Sequence, residues 1–81
     1  MKRKHQKTLD LIEGLNPGVH WTKVEALLRS MASAVHEKGG SSVTFVIDGR
    51  LFAVDRPHPR KECGLGLVKR VRERLREIGA A

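Results

Sequence analysis

Two short stretches hold the residue types that could do chemistry: Gly40-Ser41-Ser42, and the loop Arg56-Pro57-His58-Pro59-Arg60-Lys61. A histidine has an unperturbed pKa of about 6.5, so it can give or take a proton near neutral pH. Pro57 and Pro59 end the preceding strand and hold His58 on a stiff, extended loop. Arg60 and Lys61 directly precede the last predicted helix. The free backbone donors at a helix start also favour anions, so this pair reads as a phosphate-binding group. Arg56 and Lys69 extend the patch. Ser41 and Ser42 can donate hydrogen bonds to a phosphate, although a hydroxyl does not move protons near neutral pH as an imidazole does.

The charge balance agrees with an anionic partner. The chain has 81 residues, with 16 Lys and Arg against 9 Asp and Glu, for a formal charge of +7. Cations concentrate between Arg56 and Arg76, where only Glu62 and Glu73 oppose them. That is the footprint expected for a polyanion, most often nucleic acid; the alternative is a basic helix face that is simply solvated.

Several other classes are disfavoured. The single cysteine, Cys63, leaves no internal disulfide and reads as a small loop residue in a reducing compartment. His5, His20, His36 and His58 are too far apart in sequence for a metal-ligand motif, no P-loop or repeat is present, and no cofactor is implied. No apolar run reaches the roughly 18 residues that a membrane span needs, and the basic start is not followed by an apolar signal core. A soluble, cytoplasmic protein with no membrane contact is expected.

The elements that must position these residues follow from periodicity and turn chemistry. Leu9, Leu11, Ile12 and Leu15 predict a short helix over 8–15, cut off by Asn16-Pro17-Gly18. Thr22-Lys23-Val24-Glu25 matches a capping box, and Val24, Leu27, Leu28 and Met31 form one apolar face of a helix running to about Ala34. Trp21, just before that cap, reads as a core anchor packed on the first turn. A short strand is expected over 34–37, with His36 at the surface. Val43, Phe45 and Ile47 alternate with Thr44, Val46 and Asp48, and Asp48-Gly49 is a favoured hairpin turn into the return strand 50–56. Val68, Val71, Leu75 and Ile78 face inward on a last helix over 67–78, with the cations outward.

This order predicts an α+β two-layer sandwich: helix, three antiparallel strands, helix, with an extra short N-terminal helix. Both main helices would cover one face of the sheet. The other face, assigned Val46, Phe52 and Val54 together with Arg50 and Arg56, would remain for RNA or a protein partner. Residues 1–19 read as an N-terminal extension with a linker, and residues 20–81 as one domain. His5 and His20 receive no role.

From about Thr22 to Ala80 the chain resembles the HicA family of toxins. The resemblance rests on helix lengths, hairpin position, the Pro57-His58-Pro59 loop with Arg60-Lys61, and the Gly66-Leu67-Val68 start of the last helix. It implies a fold like the double-stranded-RNA-binding domain, used by a metal-independent mRNA endonuclease that a HicB-type antitoxin masks. The family carries Gly-Ser-His at the start of its strand, with that histidine catalytic. Here Gly40-Ser41-Ser42 puts Ser42 at the catalytic position, and His58 is the substitute candidate. Losing a general acid or base typically removes about 10²- to 10⁴-fold of rate. The expected site therefore comprises Ser42 and His58 for catalysis, and Gly40, Ser41, Arg56, Arg60, Lys61 and Lys69 for RNA. Whether the protein is an enzyme stays open at this point. The alternatives are a catalytically inactive RNA-binding module of the same fold, or a protein-interaction domain that pairs as a homodimer or with the antitoxin.

Overall fold

Residues 1–37 and 39–80 are described by a computed structural model. The elements run α1 (Arg3–Glu13), α2 (Trp21–Met31), β1 (Ala34–Glu37), β2 (Ser42–Ile47), β3 (Arg50–Asp55) and α3 (Gly64–Glu77). The strands form one antiparallel sheet in the order β1-β2-β3, and the helices bury its inner face. The α+β, two-layer expectation holds at this level.

The Asp48-Gly49 turn sets the register. Both residues have positive φ, 54° and 76°, as the tight two-residue hairpin turn requires, and a glycine meets the second without strain. The turn pairs Ile47 with Arg50, Phe45 with Phe52, and Val43 with Val54. Residues directly opposite each other point to the same face. Val43, Phe45, Ile47, Phe52 and Val54 are accordingly all buried against the helices. This corrects the expectation that Phe52 and Val54 lie on the open face. That face instead carries Thr44, Val46, Leu51 and Ala53, with Leu51 65% exposed.

The first helix also differs from expectation. It starts at Arg3, five residues before the expected start at Thr8, because His5 and Thr8 are buried beside Leu9 and Ile12 although neither is an apolar marker. Ile12 is fully buried, and α1 packs on both α2 and α3. The N-terminal segment thus completes the core that the remaining residues form.

The capping box does not form. Helix α2 already begins at Trp21, preceded by His20, and among the described residues no side chain caps it. Its first donor, the Trp21 backbone N–H, is met by the Lys61 carbonyl at 2.7 Å. A tertiary partner replaces the local one, which leaves Glu25 available for other contacts. Trp21 is buried and tilted against Phe45, with ring centroids 6.4 Å apart, as a core anchor should be. Helix α2 ends at Met31, three residues short of the expected Ala34, which opens β1. Helix α3 begins at Gly64 instead of Leu67 and buries Val68, Val71 and Leu75.

Candidate nucleic-acid interface

The start of the central strand β2 and the Pro-His-Pro loop after β3 meet at one end of the sheet. Gly40 and Ser41 are exposed, and Ser42, half-buried, opens β2 opposite Asp55. The Arg56 N–H donates to the Ser41 carbonyl at 2.9 Å, which ties the two stretches together. His58 follows two residues later and is exposed. An extended chain advances at most about 3.5 Å per residue, so the His58 backbone lies within about 7 Å of that link.

The far end of the loop is held by backbone hydrogen bonds to the α1–α2 connection. Besides the Trp21 to Lys61 bond, the Cys63 N–H reaches the Val19 carbonyl at 2.9 Å and the Gly64 N–H reaches the Pro17 carbonyl at 3.0 Å. These bonds fix the path on which Arg60 and Lys61 stand exposed. Beside them is a shallow depression of about 460 Å³ lined by Pro17, Gly18, Arg60, Glu62 and Gly64. Glu62 offsets part of the positive charge there.

Arg56 differs from the other cations assigned to RNA. Its guanidinium donates to both Glu25 oxygens, at 2.9 and 3.2 Å, and to Glu37 at 2.5 Å. Glu25 also accepts from the Trp21 indole N–H at 2.7 Å and from Arg29 at 2.9 Å. The Arg56 hydrogen bonds, supported by those from Arg29 and Trp21 against the opposing cost of burial, hold the Glu25 carboxyl at about 2. The two carboxylates in turn raise the pKa of Arg56. Arg56 therefore clamps β3 to α2 and β1, and its charge is largely met inside the protein. Sequence reasoning missed this clamp because it assigned Glu25 to a helix cap.

The basic face of α3 is also partly used internally. Arg70 donates to the Ala53 carbonyl at 3.1 Å, and its guanidinium and that of Arg74 lie 5.8 and 5.4 Å from the centre of the Phe52 ring. Arg74 pairs with Glu77, Arg76 with the Glu13 carboxylate, and Arg72 with the Glu13 carbonyl. Among the described residues, the cations of the 56–76 region left without such a partner are Arg60, Lys61 and Lys69. These three, with Gly40, Ser41, Ser42 and His58, are what the site can offer an anionic ligand.

Its chemistry is that of hydroxyls, one imidazole and cations, with the Asp55 and Glu62 carboxylates beside them. Cys63 is buried, and burial pushes its thiol up to about 11, which removes it as a nucleophile at neutral pH. Among the described residues no group of three or more His, Cys, Asp or Glu side chains could hold a metal ion. No helix among them is long and apolar enough to cross a membrane. Comparison with known proteins brings no match: no family model, no curated protein and no solved structure corresponds to this chain.

Proposed function

We propose that the protein is a HicA-like member of a toxin–antitoxin pair that binds RNA in the cytoplasm through the end of the sheet that carries Gly40–Ser42 and His58, together with Arg60, Lys61 and Lys69. The observation that carries this reading is the juncture of Ser41 with Arg56, which sets two serines and the His58 loop at one end of the sheet; the same loop continues to Arg60 and Lys61, exposed cations without a carboxylate partner among the described residues. Hydroxyl donors and unpaired cations suit a phosphate backbone, and His58 is the one group there able to move a proton near neutral pH. In this reading His58 acts at the scissile phosphate as acid or base, Ser42 donates a hydrogen bond to it, and a HicB-type antitoxin covers that end of the sheet.

A second reading, a binding module without hydrolysis, is favoured by one position. Ser42 stands where the family has its catalytic imidazole, and Asp55 opposite can only accept a hydrogen bond from it when ionised. Purified protein incubated with labelled single-stranded and hairpin RNA in chelator, scored for cleavage and gel shift together, separates the two. Cleavage that disappears in His58→Ala supports the enzyme. A shift without cleavage, with cleavage gained in Ser42→His, supports the binding module. Absence of both shift and cleavage overturns the RNA reading.

A further inference from the structure

A second group of cations lies on the helices α1 and α2. Lys2 is exposed just before α1, Arg3, Lys4 and Lys7 are exposed on its first half, and Lys23 is exposed on the first turn of α2. Between these helices runs a groove of about 480 Å³ lined by Arg3, Lys4, Lys7, Thr22, Lys23 and Leu11. Among the described residues no carboxylate lines it. Among the described residues none of these cations forms an ion pair, and the nearest acid along α1, Asp10, accepts a hydrogen bond from Gln6 at 3.0 Å.

This arrangement is unfavourable for the free protein. A helix carries partial positive charge at its N-terminus, and like charges three or four residues apart repel; Arg3 and Lys7 stand i,i+4, Lys4 and Lys7 i,i+3. The first turn of α1 has no acidic residue to compensate. An external polyanion would relieve both effects. The groove also adjoins the loop: the Lys61 carbonyl binds the Trp21 N–H at 2.7 Å, so Lys61 borders the same first turn of α2 that carries Lys23.

We propose that the α1–α2 groove is a second binding site for the RNA phosphate backbone, continuous through Lys61 with the loop patch. The inference rests on the RNA-binding reading above and adds a surface from the N-terminal helix to it. Each neutralised phosphate contributes somewhat less than one unit to the slope of log K against log salt, so losing three cations lowers the slope by about 2 units. At about 0.1 M salt, measured against 1 M, that corresponds to about a hundredfold weaker binding.

The test is fluorescence anisotropy with a fluorescein-labelled hairpin RNA over a salt series, using full-length protein and two triple variants. The groove variant is Lys4→Gln/Lys7→Gln/Lys23→Gln, and the loop variant is Arg60→Gln/Lys61→Gln/Lys69→Gln. The expected result is a slope about 2 units lower for the groove variant, with a melting temperature equal to or above that of the wild type. Charge-retaining Lys→Arg replacements at the same three groove positions keep the wild-type slope. A groove variant that binds RNA as the wild type does, while the loop variant fails, overturns the groove and leaves the RNA-binding reading in place. A loop variant that binds normally while the groove variant fails supports the groove and retires the loop site. If neither the wild type nor either variant binds, both readings fall. A lowered melting temperature in the groove variant with an unchanged slope assigns these lysines to the fold and also overturns the inference.

Discussion

Replacing Glu25 by Gln keeps the shape of the side chain and removes the charge that gathers Trp21, Arg29 and Arg56. The displacement of its carboxyl from 4.5 to about 2 corresponds to about 3 kcal/mol at full value, at about 1.36 kcal/mol per pKa unit. The Glu25 side chain retains 18% of its exposure and the Arg29 side chain 44%, so solvent screening reduces the usable part to about 2 kcal/mol. For a domain of this size that loss lowers the melting temperature by about 8 to 16 °C. The effect depends on pH in a defined direction. The folded-state pKa lies below the unfolded value, so the contribution is complete above pH 4.5 and is lost as pH falls towards about 2. Urea unfolding followed by the fluorescence of Trp21, the only tryptophan, measures it across that range. Wild type and Glu25→Gln should differ by about 2 kcal/mol at neutral pH and converge in acid. Equal urea midpoints at neutral pH, or an acid dependence as steep in the variant as in the wild type, would refute the clamp.

Two further predictions concern the core. Ile12 is fully buried where α1 meets the rest of the protein, so Ile12→Ala should cost about 2 to 5 kcal/mol in urea unfolding and lower the stability of the whole domain in one transition; an unchanged midpoint would mean that α1 is an appendage. The Cys63 thiol, buried and raised to about 11, should react with iodoacetamide near neutral pH far more slowly in native protein than in urea, which mass spectrometry can follow. Native labelling as fast as that of a free thiol would contradict its burial.

The chemistry-bearing residues were legible in the sequence as types but not as partners. The serines and the His58 loop stand at the same end of the sheet because the Asp48-Gly49 turn returns β3 alongside β2, and that turn is written in two adjacent residues. Which cations stay unpaired was not legible. Arg56 meets Glu25 across 31 residues and Arg76 meets Glu13 across 63, and no local pattern encodes such pairings. The groove cations were visible as a basic N-terminus, but their relation to Lys23 depends on how α1 docks.

Local interactions determined what the sequence alone could show. The alternation of Val43, Phe45 and Ile47, the Asp-Gly turn, and the apolar faces of α2 and α3 each depend on residues a few positions apart, whose geometry one element sets by itself. Those signals were enough for an α+β domain with one buried sheet face. Only the tertiary structure decided that Phe52 and Val54 face inward, that α1 extends back to Arg3, and that the start of α2 is satisfied by Lys61. It also turned Glu25 from a helix cap into the centre of an ion-pair cluster. Each of these outcomes depends on groups distant in sequence competing for the same hydrogen bond, charge or buried volume, and that competition is settled only when the elements pack together.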